Sequence, residues 1–187
     1  KTIFMKTGYE DKGDHYVTNV SWGPEEKFIY IAVVNRDQNH VHFNEYSVKG
    51  KNKVRTVFEE KHDKWTEPEN PGFFPTSDEN TMLWMSEKDG FMNLYKVNME
   101  NGSWTGLTNF SFPITSFLGL NESGSHAFVQ ATGKDGREKH CYKIEIARKH
   151  PGAYVYDVKN HRATSVGMRK CMTLNLQYMH SDYPSHE

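Results

Sequence analysis

Three tyrosines set the ground plan of this chain. Tyr46, Tyr95 and Tyr142 are spaced 49 and 47 residues apart. Each sits in a similar short run: Glu45-Tyr46-Ser47-Val48, Leu94-Tyr95-Lys96-Val97 and Cys141-Tyr142-Lys143-Ile144. A near-constant period marks a repeat architecture, in which a unit cannot bury its apolar face alone and must stack on its neighbours. Roughly 40 to 50 residues is the length of a four-stranded propeller blade.

The repetition extends beyond the tyrosines. A strand-like run precedes each, at 28–34, 81–85 and 126–131, rich in the apolar, aromatic and β-branched residues that suit a pleated surface. A polar turn separates run and tyrosine: Asn35-Arg36-Asp37-Gln38-Asn39, Lys88-Asp89-Gly90 and Lys134-Asp135-Gly136. In the last two the Asp-Gly pair predicts a hairpin whose Gly takes a positive φ. A second turn and a short apolar strand come earlier in each unit, the strands at 17–22, 72–74 and 116–120. A fourth strand follows the tyrosine run in two units, at 54–58 and 104–108.

The expected fold class is therefore all-β: a partial β-propeller of about three to four four-stranded antiparallel blades, near 13–62, 63–112 and 113–149. A β-sandwich is the alternative, but it would not require the tyrosines to recur. Residues 150–187 read as additional strands of uncertain placement. They include 154–158, 163–166 and an alternating run at Met172, Leu174, Leu176 and Tyr178, before a frayed C-terminus. No amphipathic helix is evident. Three or so blades leave strand edges open, and open edges invite self-association into a homo-oligomer.

Composition removes several functions. A formal net charge of −1 leaves no basic footprint for nucleic acid. No run approaches the ~20 apolar residues of a membrane span, and no signal peptide opens the chain. The start at Lys1, without an initiator Met, reads as the interior of a longer protein. Cys141 and Cys171 form neither a disulfide framework nor a zinc site. Cys141, in a strand-like run, reads as a small buried hydrophobe, with a single disulfide between the two as the alternative.

The motifs of catalysis are missing too. The chain has no Gly-x-Ser-x-Gly elbow, no phosphate-binding glycine loop and no His-Glu-x-x-His. No catalytic residue, metal site or cofactor is assigned. His40-Val41-His42 puts two imidazoles on one face of a strand, a pair that could hold a metal. Spacing offers no third ligand, so an exposed polar face beside a turn is the plainer reading. His150, His161, His180 and His186 are scattered and read as solvated. Glu25-Glu26 and Glu59-Glu60 are carboxylate pairs of the kind that can bind an ammonium group, but both read as solvated surface, the second leading into a charged loop. Asn19, Asn101, Asn109 and Asn121 open N-glycosylation patterns at a frequency close to chance. More informative is Trp65-Thr66-Glu67-Pro68-Glu69-Asn70-Pro71-Gly72-Phe73-Phe74, a stiff, aromatic connection just ahead of a blade's first strand.

Three segments carry a family resemblance: Gly13-Asp14-His15-Tyr16-Val17-Thr18-Asn19-Val20-Ser21-Trp22, Trp65-Thr66-Glu67-Pro68, and the run from Thr81 through Trp84-Met85-Ser86-Glu87-Lys88-Asp89-Gly90-Phe91-Met92-Asn93-Leu94-Tyr95. Over about residues 1–149 the chain resembles the N-terminal propeller of dipeptidyl peptidase IV and its bacterial relatives. The resemblance implies a parent serine exopeptidase (a hydrolase in proteolysis) that removes X-Pro or X-Ala dipeptides. It also implies an eight-bladed propeller followed by an α/β-hydrolase domain, and an extracytoplasmic location. The family's catalytic Ser, in a Gly-Trp-Ser-Tyr-Gly-Gly elbow, is not in this chain, and neither Glu-Glu pair has the context of the family's amine-binding glutamates. What the resemblance leaves to this chain is substrate gating and scaffolding, with peptide substrate and hydrolase domain as partners in the parent, and Trp65 and Glu67 as candidate cavity-facing residues. The alternative is a stand-alone propeller-like module that binds a protein or glycan.

Overall fold

The computed structural model of the chain describes residues 4–10, 12–75, 78–147, 154–157 and 162–165. They form three antiparallel sheets that follow one another along the sequence. The first holds β1 (His15–Trp22), β2 (Phe28–Asn35), β3 (His40–Ser47) and β4 (Asn52–Lys61). The second holds β5 (Thr81–Ser86), β6 (Asn93–Asn98) and β7 (Trp104–Gly106). The third holds β8 (Ile114–Leu120), β9 (His126–Ala131), β10 (His140–Glu145), β11 (Tyr154–Asp157) and β12 (Arg162–Ser165). Each strand lies beside its predecessor in sequence, so every sheet is a meander of hairpins. Among the described residues one 3-10 turn, Pro24–Glu26, is the whole of the helical content. The chain is all-β and built as consecutive propeller blades.

Two sheets depart from four strands. The first strand of the second sheet, expected at 72–74, shrinks to a single bridge between Phe73 and Leu83, closed by backbone hydrogen bonds of 3.0 and 2.7 Å. Pro71 and Pro75 flank it, and proline has no N–H to extend a ladder. The third sheet continues past residue 149, since β11 pairs with β10 and β12 with β11. The alternating run at 172–178, Cys171 and the histidines at 150, 161, 180 and 186 lie outside the described residues.

The turns follow local chemistry. Gly90 takes φ +102° in the Asp89-Gly90 turn, and its N–H reaches the Glu87 carbonyl at 2.8 Å. The same expectation fails at Asp135-Gly136. That connection is too long for a tight hairpin, and its left-handed residue is Gly133, at φ +70°.

Packing accounts for β5, the strand-like run expected at 81–85. All six of its residues are buried because sheets cover both of its faces. Met82 and Trp84 point to the first sheet, among Tyr30, Phe43, Val57 and Phe58. Leu83 and Met85 point to the third, among Ile114, Val129, Tyr142 and Ile144. Aromatic rings form the first seam: Phe43 and Phe58 stack at 5.0 Å, and Trp84 meets them edge-on at 5.0 and 5.4 Å. Such pairs add about 0.5–1.5 kcal/mol each beyond the area they bury.

A buried ionic group ties the same two sheets. The Glu45 carboxylate accepts from Tyr30 Oη at 3.1 Å and Arg55 Nη2 at 3.0 Å. The Arg55 guanidinium also donates to the carbonyls of Met99, at 2.6 Å, and Glu100, at 3.1 Å, across in the β6–β7 hairpin. Burial first, then the Glu45 charge, holds the Tyr30 hydroxyl far above the usual phenol range. Gly102 sits in that hairpin at φ +71°, where a Cβ would run into the Val57 carbonyl of β4, so the approach of the sheets depends on glycine.

Two residues, Trp84 and Cys141, test this packing. Trp84→Ala lowers the stability by about 3–5 kcal/mol, read from urea unfolding; a loss below ~1 kcal/mol would mean the seam is not well packed there. Cys141 is free and 2 % exposed, and burial pushes its thiol up from 9.0 to about 12. Above pH 9 the unfolded chain therefore holds fewer protons than the folded one, and this residue's contribution to stability falls as pH rises. A Cys141→Ala variant loses that part of the alkaline slope. Cys141 also resists thiol reagents until the chain unfolds, which labelling along a denaturant series reads directly.

Candidate functional site

The chain must cross from β4, the last strand of the first sheet, to β5 in the second, and this connection forms the site. Backbone bonds seat it on the turn between β2 and β3: His62 N–H donates to the Asn39 carbonyl at 3.0 Å and Thr66 N–H to the Gln38 carbonyl at 2.8 Å. His62 Nδ1 accepts from the N–H groups of Lys64, at 3.1 Å, and Trp65, at 3.3 Å. Further along, the Asn19 side-chain amide donates to the Pro68 carbonyl. Asn19 lies where the β1–β2 register shifts and takes φ +52°. Prolines at 68, 71 and 75 restrict the rest.

Held in this way, Trp65 and Glu67 come together. Both are exposed, Trp65 by 58 %, and both line one cleft of about 220 Å³. Its other walls include Glu60, Ser86, Lys88 and Gly90, from the end of β4 and the β5–β6 turn. The tip of that turn is tied back: Tyr95 Oη donates to Asp89 at 2.8 Å, and Lys88 Nζ lies over the rings of Tyr95 and Trp104 at 4.8 and 4.6 Å. Burial, and after it the bond to Asp89, keeps the Tyr95 hydroxyl well above the ordinary phenol range.

Glu60 corrects the sequence reading. It does not open a solvated loop but lies in β4, where alternation turns Glu59 outward and Glu60 inward. The Glu60 carboxylate accepts from Trp84 Nε1 at 3.0 Å and from the Ser86 hydroxyl. A buried carboxylate needs such donors to be tolerated. Exposed aromatic, exposed carboxylate and lysine on one cleft offer ring contact and charge-assisted hydrogen bonding. The signal for Glu60 was parity along the strand, legible only once the strand's position is known.

The histidine pair lies on the opposite face of β4. His40 and His42 occupy one side of β3, with ring centroids 4.0 Å apart, and the exposed Glu59 sits across from His42 in the ladder. Glu59 Oε2 lies 2.7 Å from His40 Nε2 and 3.9 Å from His42 Nε2. Spacing concealed this third group, which lies 19 residues on from His40. The hydrogen bond from His40 holds the Glu59 carboxyl below its usual range; burial, then the neighbouring His40, holds the His42 imidazole below its own. Glu25 and Glu26 stay at the surface, Glu25 paired with Lys27. The Asn121 amide is engaged with Ser123 and Ser125.

Glu60→Ala leaves the Trp84 indole N–H and the Ser86 hydroxyl without their acceptor and costs about 1–3 kcal/mol, measured by urea unfolding. Unchanged stability would show that neither donor depends on the carboxylate.

Comparison with known proteins bears on the whole arrangement. The fold is similar to that of a protein from Bacteroides ovatus described as a dipeptidyl aminopeptidase IV, with a TM-score of 0.69 and 22% identity over 82% of this chain and 29% of that one. It is also similar to dipeptidyl peptidase 4 of Porphyromonas gingivalis, with a TM-score of 0.63 and 16% identity over 83% of this chain and 20% of that one. The chain thus spans less than a third of either protein. The sequence pattern described as the dipeptidyl peptidase IV (DPP IV) N-terminal region matches residues 2–177, and this chain belongs to that family.

Proposed function

We propose that the chain is a section of the propeller of a dipeptidyl peptidase IV-like serine exopeptidase. There it gates substrate and scaffolds the hydrolase domain, and it is not itself catalytic. Three sheets, read as blades near 13–62, 63–112 and 113–149, are too few for a ring of eight. In the parent, further blades and an α/β-hydrolase domain enclose a cavity for peptides that release X-Pro or X-Ala dipeptides.

The observation that carries this reading is the meeting of Trp65 and Glu67 in one cleft, on a connection pinned by Thr66 and Pro68. At about 220 Å³ the cleft is smaller than whole small-molecule sites, which run to roughly 300–1,000 Å³. It suits one wall of a larger cavity. Contacts there hold a part of the peptide remote from the scissile bond, and such binding supports positioning at the reacting centre. Val17, Val20 and Trp22 on β1 are exposed in this chain. In the parent they face further structure, and in isolation they favour self-association.

The test is hydrolysis of a Gly-Pro chromogenic substrate by the full-length parent and by the 187-residue chain, with light scattering of the chain alongside. The parent cleaves and the chain does not. In the parent, Trp65→Ala and Glu67→Gln each lower kcat/KM for peptides by about tenfold, or ~1.4 kcal/mol, with unfolding midpoints at the parental value. Cleavage by the chain itself would overturn the non-catalytic reading; unchanged kinetics in both variants would remove the cavity role. A monodisperse monomer at high concentration would end the self-association reading.

A further inference from the structure

We propose that His40, His42 and Glu59 form a binding site for a divalent transition-metal ion of the zinc type, across the paired strands β3 and β4. The donor set is two imidazoles and a carboxylate. One ligand atom from each lies within 4.8 Å of the other two. Donors about 2.0–2.2 Å from a tetrahedral zinc ion stand roughly 3.3 Å from one another. The separations of Glu59 Oε2 from the two Nε2 atoms, 2.7 and 3.9 Å, fall on either side of that figure. A small rotation of the Glu59 side chain, which is 47% exposed, brings them level.

The strands supply the preorganisation. Val41, between the histidines, is fully buried, and the ladder sets His42 directly opposite Glu59. Both imidazoles are about three-quarters withdrawn from solvent, with side-chain exposures of 22% and 26%, so little freedom remains to be lost on binding. Imidazole nitrogen suits zinc, nickel and copper, whereas calcium and magnesium take oxygen ligands. Lys61 Nζ is the competitor, 3.6 Å from Glu59 Oε2, but it is 66% exposed and its pairing is of the weak surface kind. Three protein donors leave one position of a four-coordinate ion for water or a small anion. His42 and Glu59 also border a cleft of about 410 Å³ that Lys53 lines. This site lies on the other face of β4 from Glu60 and stands independently of the peptidase reading.

The experiment is calorimetric titration of zinc chloride into the chelator-treated full-length protein. It is repeated on His40→Gln/His42→Gln and on Glu59→Gln, with circular dichroism to verify that each variant is folded. The expected result is one saturable site in the parent, weakened more than about tenfold in each variant, and a zinc-dependent rise in the unfolding midpoint that the double variant lacks. Cobalt substitution gives a second readout, a visible absorption band of tetrahedral intensity that disappears in the double variant. No saturable site in the parent, or equal affinity in the double variant, would overturn the proposal. Equal affinity in Glu59→Gln would remove the carboxylate from the ligand set and with it the three-donor site.

Discussion

Everything in this molecule depends on one sheet packing against the next. An antiparallel sheet with two apolar faces cannot stand alone in water, and here the three-stranded second sheet is covered on both. The aromatic seam of Phe43, Phe58 and Trp84 joins the first sheet to the second. Phe73 and Phe117 provide a counterpart toward the third sheet, stacked at 3.8 Å. Burial of this kind has no preferred direction, so rings settle that the sheets meet but leave their alignment open.

Polar groups within the seam supply alignment. Glu45 collects Tyr30 from β2 and Arg55 from β4, and Arg55 continues to two carbonyls of the neighbouring blade. Glu60 does the equivalent at the other end of β4, reaching Trp84 and Ser86 on β5. A carboxylate inside a protein is costly unless its lone pairs meet donors. The Glu60 carboxylate meets its donors, and Arg55 its carbonyls at Met99 and Glu100, only when the two sheets stand in one relation, so the same atoms that would destabilise a misaligned pair hold the aligned one.

The clefts follow from that alignment. The connection between β4 and β5 is seated by the β2–β3 turn beneath it and by Asn19 of β1, so Trp65 and Glu67 take their places from three separate stretches of chain. Strand β4 divides its attention through simple alternation. Glu60 faces inward to the seam and the Trp65 cleft, and Glu59 faces outward to the histidines of β3. Neighbouring glutamates thereby serve two unrelated environments.

The period of the tyrosines, the strand runs, the Asp89-Gly90 turn and the aromatic connection were all legible in the amino-acid sequence, because periodicity and turn chemistry are local properties. Those features were enough for the all-β blades and the family. Three-dimensional structure alone decided which face each residue takes. Glu60 read as solvated and is buried, since a shift of one residue in register exchanges the two faces of a strand. Glu59 joined the histidines only through the β3–β4 pairing. The strand expected at 72–74 became a single bridge between prolines, and Gly133 rather than Gly136 took the left-handed turn. The physical reason is the same throughout: composition and spacing encode what a segment prefers, whereas register and burial depend on partners that are distant in the chain and adjacent only after folding.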